Sequence, residues 1–137
     1  MEPLSSRTQP TAYKVLVMDD ESAVRNLLKR ALTKLGYKVL QAVDGKQTLK
    51  IYKEEQLSDE PVAVVIMDLT IPDGMGGEEA IKKLLEIDPE AKAIVSSGYS
   101  TSAVMSNFYE HGFKGVLSKP YTLTELKQTL ERVLNTN

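Results

Sequence analysis

Asp19, Asp20, Asp68, Ser97 and Lys119 are the residues whose types and placing could do chemistry. Asp19 and Asp20 close the apolar run Val15-Leu16-Val17-Met18, and Asp68 closes Val62-Ala63-Val64-Val65-Ile66-Met67. Lys119-Pro120 follows a third run, Val116-Leu117-Ser118. A short continuous apolar run bounded by polar residues is how a strand buried on both faces reads. Strands that each end in a charged group gather those groups at one carboxyl edge of a parallel sheet, where open α/β folds hold ligands. Carboxylates a few ångströms apart repel by about 1 kcal/mol in water, and by about 4 at an effective dielectric of roughly 20. Such a cluster needs a shared proton or a bound cation. Mg²⁺ meets the second need, because it keeps several waters and takes only one or two carboxylates beside a phosphate oxygen. Lys119 adds a compact balancing charge. A carboxylate so placed is a competent nucleophile toward phosphorus, since phosphoryl transfer depends mainly on alignment and charge neutralisation. Ser96-Ser97-Gly98 faces the same mouth. Serines at a strand end are commonly turn formers. Here a hydroxyl would also reach a phosphoryl group on Asp68.

The elements that must hold these groups alternate strand and helix five times. Val24, Leu27, Leu28, Ala31, Leu32 and Leu35 fall at helical spacing after the first strand, and Gly36 supplies the stop. Lys38 to Ala42 reads as the second strand, and Asp44-Gly45 opens a helix that carries Leu49 and Tyr52 inward. Pro61 introduces the third strand, and Ile71 to Gly77 is a loop. A helix with Ala80, Ile81, Leu84 and Leu85 follows, then a strand over Ala91 to Ser96 and a helix near Thr101 to Glu110. The last helix carries Leu123, Leu126, Leu130, Val133 and Leu134 as its buried stripe. Alternation with right-handed crossovers predicts a three-layer α/β sandwich over a parallel five-stranded sheet.

Composition narrows the function classes. The chain has 137 residues, room for one domain with a proper core. A net charge of -2 argues against direct partnership with nucleic acid or an anionic membrane. With no cysteine and one histidine, disulfides and zinc sites rich in Cys or His are excluded, while an oxygen-ligand metal is not. No apolar stretch approaches the roughly 20 residues of a membrane span, and the amino terminus lacks the apolar centre of a signal peptide. A cytoplasmic location is the expectation. Residues 1–12 read as a solvated tail or linker stub and 135–137 as a short tail.

The motifs together resemble a response-regulator receiver domain, the phosphoaspartate module of two-component signalling, over residues 13–134. The matching pieces are Val15 to Glu21, Met67-Asp68-Leu69-Thr70-Ile71-Pro72, Ser97-Gly98 and Lys119-Pro120, in order. The resemblance implies a flavodoxin-like, doubly wound sheet of order 2-1-3-4-5. It makes Asp68 the phosphoacceptor, with Asp19, Asp20, Asp68 and the backbone carbonyl of Thr70 holding Mg²⁺. Ser97 becomes the switch hydroxyl and Lys119 the ion-pairing lysine, in a Lys-Pro peptide that is commonly cis. Thr70 and Tyr99 occupy the two positions that tune phosphoryl lifetime. One departure stands out: Val116 occupies the place, three before the lysine, where many members carry an aromatic switch.

The expected partners are a histidine kinase or phosphotransfer protein and a downstream protein. The fourth helix, fifth strand and fifth helix form the output surface, where a second copy could also pair. By itself such a domain is a signalling module rather than an enzyme. It acts alone, or as the receiver of a hybrid sensor kinase, which the Pro- and Ser-containing tail and the Ser96 to Ser100 phrase resemble. Two alternatives stay open on the residues alone. One is a haloacid-dehalogenase-like aspartyl-phosphate hydrolase, though its Asp-x-Asp belongs to a first strand and Thr70 stands two after Asp68. The other is a flavin-binding module on a similar fold.

Overall fold

The apolar runs become strands covered on both faces. The computed structural model describes residues 13–98 and 102–136. In chain order the elements are β1 (Lys14–Met18), α1 (Ser22–Lys34), β2 (Lys38–Ala42), α2 (Gly45–Gln56) and β3 (Val62–Asp68). They continue with α3 (Gly77–Ile87), β4 (Ala93–Ser97), α4 (Ala103–Ser106), β5 (Gly115–Ser118) and α5 (Leu123–Leu134). The strands form one parallel sheet, as the alternation predicts, in the order β2-β1-β3-β4-β5 that the resemblance implies.

Alternate residues of each central strand feed two separate cores. Leu16, Met18, Val65, Met67 and Val95 meet Tyr52, Ile81, Leu84 and Phe113 on one face. Val15, Val17, Val64, Ile66 and Ile94 meet Leu28, Leu32, Leu126, Leu130 and Val133 on the other. Truncating any large member to alanine costs about 2–5 kcal/mol, because the cavity left behind relaxes only in part. Side-chain caps fix the starts of α2, α4 and α5. Asp44 accepts from the Gln47 N–H at 2.9 Å, and Thr122 forms a reciprocal capping box with Glu125. At the end of α1, Gly36 takes φ 98°, a left-handed turn that sends the chain directly into β2.

Three expectations are corrected. The fourth strand runs from Ala93 to Ser97, two residues later at its start and one at its end than the sequence reading. The fourth helix is one turn long, Ala103–Ser106, with Val104 and Met105 buried and Phe108 beyond its end. Asn107 leaves helical geometry, and the chain continues to Gly112 through i to i+3 bonds such as His111 N–H to the Phe108 carbonyl. The expected start of that helix, Thr101, lies outside the described residues. Leu27 and Leu123 are exposed at 67% and 42% rather than buried. The apolar arcs of α1 and α5 are wider than the face each presses on the sheet, and the excess from both helices lines a groove between them.

Candidate functional site

The loops after β1, β3, β4 and β5 place the candidate residues at one mouth. β1 lies between β2 and β3, so Asp19 and Asp20 emerge beside Asp68 at the end of β3. The backbone locks these ends in register. The Asp19 N–H donates to the Ala42 carbonyl at 3.1 Å, Leu69 N–H to Ser96 at 2.9 Å, and Lys119 N–H to Ser97 at 2.8 Å. Oxygens of Asp19, Asp20 and Asp68 lie within 4.8 Å of one another. Among the described residues this is the one group of three acidic or histidine side chains close enough to share a cation. The donors are hard oxygens, a set that suits Mg²⁺ and fits the ion the sequence implies.

The three carboxylates differ in environment. Asp19 is buried, and both its oxygens are engaged: Oδ1 accepts the Glu21 N–H at 2.9 Å and Oδ2 accepts Lys119 Nζ at 3.0 Å. Asp20 is exposed. Asp68 lies between these extremes, with Lys119 Nζ 3.7 Å from its Oδ2. Burial pushes the Asp68 carboxyl up to about 6; Lys119 and the Thr70 backbone N–H pull it down, while Asp19 and Asp20 raise it further. Burial works against the Lys119 ammonium, but its bond to Asp19 and the charge of Asp68 outweigh that, and its pKa is raised. The mouth therefore holds one ammonium among three acids, with the central acid reluctant to ionise until more positive charge arrives.

Ser97 is buried at the end of β4, and its main chain is bonded to Lys119. Thr70 is exposed just beyond Asp68. The Lys119-Pro120 peptide is cis. Tyr99, named for phosphoryl lifetime, lies outside the described residues. Val116 is half-buried against the core on the α2–α3 face of the sheet.

Arg25 and Tyr121, which the sequence reading passed over, and Ser96, which it named only as part of the strand-end serine pair, also shape the mouth. Arg25 donates to the Asp19 carbonyl at 2.7 Å and to Gln41 at 3.2 Å, fixing the turn that carries both aspartates. Its place near the start of α1 was the available signal. Ser96 pairs in register with Asp68, and its buried hydroxyl has no hydrogen-bond partner among the described residues. The Tyr121 phenol comes near Ser96 without hydrogen-bonding geometry. Burial, with Asp19 and Asp68 nearby, pushes that phenol up to about 12 despite the Ser96 contact. Only the fold brings Ser96 and Tyr121 together.

The sequence and the fold both have known counterparts. The family profile described as the response regulator receiver domain matches residues 15–131. The chain is 35% identical over 121 residues to the chemotaxis protein CheY of Thermotoga maritima, covering 88% of this chain and 96% of that protein. It is 30% identical over 121 residues to the sporulation initiation phosphotransferase F of Bacillus subtilis, covering 88% and 93%. Among solved structures it resembles the CheX-CheY-BeF3-Mg²⁺ complex from Borrelia burgdorferi, with a TM-score of 0.82 and 23% identity over 90% of each chain. At that identity the structural likeness speaks for the fold.

Proposed function

The chain belongs to the response regulator receiver family, and on that premise we propose that Asp68 is the residue that accepts the phosphoryl group. Membership makes the protein a phosphoacceptor signalling module of a two-component phosphorelay. The phosphatase and flavin readings are not favoured. One observation carries the assignment to Asp68: it is the central, half-buried acid of the cluster, within 3.7 Å of an ammonium and beside two further carboxylates.

In the transfer step an Asp68 carboxylate oxygen bonds to phosphorus as the bond from phosphorus to the donor imidazole nitrogen breaks. The electron pair of that bond returns to the ring. Asp20 and Asp68 offer direct cation ligands, with the Thr70 carbonyl as a further one. Asp19, whose oxygens are already committed, acts through water. Mg²⁺, when bound, supplies the charge neutralisation that a phosphoryl group needs at an acidic mouth. Lys119 then turns part of its charge from the acids to the phosphoryl oxygens, and the Ser97 hydroxyl donates to one of them. Because Lys119 and Ser97 are joined through the main chain, this pull moves the ends of β4 and β5 together. The surface it alters is that of α4, β5 and α5, where a downstream protein or a second copy binds. Val116 has no ring to swing, so the rearrangement there is small.

The phosphodonor, a histidine kinase or phosphotransfer protein, approaches from the other side of the mouth. A groove of about 380 Å³ between α1 and α5 presents Leu27, Leu28, Leu123 and Leu126, with Lys119 and Pro120 in its wall. An apolar helix seated there brings its histidine to the mouth. The module modifies itself and turns over no separate substrate. An attached sensor kinase remains compatible with this reading.

Incubation with a small phosphodonor and Mg²⁺, followed by intact mass, tests the reading. One phosphoryl adduct that forms only with Mg²⁺ and decays over time is expected. Sustained phosphate release at enzymatic turnover, with no adduct, would overturn it.

A further inference from the structure

A second groove, away from the mouth of Asp68, carries a charge opposite to that of the chain as a whole. Lys46, Lys50 and Lys53 stand on α2 at i, i+4 and i+7, a spacing that puts them in one row. Lys83 of α3 faces that row, and Leu49 and Met75 are half-buried between the banks. The groove measures about 430 Å³ and contains one carboxylate, Glu54. All four lysines are exposed, and among the described residues none forms an ion pair within 4.0 Å. Glu55 of α2 pairs with Lys14 of β1, and Glu60 in the loop after α2 pairs with Lys38 of β2. Both acids are already taken by those strand lysines, and the row has no ion-pair partner among the described residues.

The floor of the groove is fixed in place. The Gly45 N–H donates to the Met75 carbonyl at 2.7 Å, and a Cβ on Gly45 would lie 2.7 Å from both Met75 Cγ and Sδ. Glycine at the first position of α2 therefore lets the Met75 side chain lie against the helix. A preformed floor reduces the ordering cost that a partner meets on binding.

From this arrangement we propose that the α2–α3 groove docks an acidic amphipathic helix of a partner protein. Its carboxylates meet the two lysine banks and its apolar stripe covers Leu49 and Met75. Helix-in-groove recognition lays an apolar stripe on an apolar floor, and the lysine banks add charge complementarity that selects an acidic partner. A polyanion such as single-stranded nucleic acid would use the lysines but gain nothing from the apolar floor, and the net charge of -2 opposes a long one. The proposal goes beyond phosphoryl acceptance and does not depend on it. The groove opens on the face of the sheet opposite α1 and α5, so both partners can be held at once.

The test uses the full chain and three probes: a short synthetic helix with glutamates beside a leucine stripe, the same peptide with serine for leucine, and oligothymidylate. The leucine peptide is expected to bind most tightly, with affinity falling as salt rises. Backbone amide shifts should cluster on α2, α3 and Met75. Lys50→Glu with Lys53→Glu, both on an exposed face that tolerates them, should weaken that binding by at least about tenfold. Met75→Ser should weaken the leucine peptide and leave the serine peptide unchanged. Equal binding of the two peptides, tighter binding of oligothymidylate, or shifts centred on another face would each overturn the proposal. Failure here leaves the Asp68 adduct untouched, so the two readings are tested separately.

Discussion

Lys119 Nζ sits 3.0 Å from Asp19 Oδ2, a contact made across 100 residues of chain. Asp19 is buried, so this ammonium is what makes its charge tolerable in the metal-free fold. Lys119→Met is expected to destabilise the metal-free domain by about 1–3 kcal/mol, because a buried charged acceptor loses its donor. The same variant should bind Mg²⁺ more tightly, since the competing cation is gone. Urea unfolding with and without Mg²⁺ measures both. A variant as stable as the parent without metal would contradict the pairing.

The Asp68 carboxyl, held at about 6 mainly by burial against an ordinary 3.8, gives stability a pH dependence. Its folded pKa is raised, so between these values the native state binds more protons than the unfolded one. The contribution is fully present below about pH 4 and is lost as pH rises through about 6. Metal-free protein is expected to lose stability across that window, and Asp68→Asn to remove this part of the slope. Saturating Mg²⁺ should also flatten it by favouring the carboxylate. Identical unfolding profiles for the parent and Asp68→Asn would refute the assignment.

Asp20 is the exposed member of the cluster and, among the described residues, forms no hydrogen bond or ion pair that the fold depends on. Asp20→Ala should weaken Mg²⁺ binding by at least about tenfold and block phosphorylation, with metal-free stability unchanged or slightly raised by relief of like-charge repulsion. Titration calorimetry and intact mass check this. Uptake of phosphate at the parental rate in Mg²⁺ would falsify the role.

Much of this was legible in the chain. Asp19, Asp68 and Lys119 could be found because each follows an apolar run that reads as a strand, and the rules of parallel sheets gather such ends at one edge. The excess breadth of the apolar arcs was not legible. Spacing marks Leu27 and Leu123 as apolar residues of their helices, but whether each presses the sheet depends on how the helices are tilted against it. Ser96 and Tyr121 meet only through the β4–β5 register and the turn at the cis Lys119-Pro120 peptide. The lysine groove likewise needs α2 and α3 side by side, since its fourth ammonium comes from thirty residues farther along the chain than Lys53.

Phosphoryl lifetime depends on which side chains cover the in-line water path to phospho-Asp68. Thr70 is small, and Tyr99 is the large residue near the mouth in sequence. Tyr99→Ala is expected to speed loss of phosphate severalfold with little change in uptake, followed by mass measurement on samples quenched over time. Unchanged or slower decay would remove Tyr99 as a shield.

The most direct measurement is the location of the phosphoryl group. The chain is treated with a small phosphodonor and Mg²⁺, digested, and the modified peptide sequenced by tandem mass spectrometry. The account requires the group on Asp68, no adduct in Asp68→Asn, and no adduct in the parent when Mg²⁺ is chelated. A phosphoryl group on another residue, or one retained in Asp68→Asn at the parental level, would contradict it.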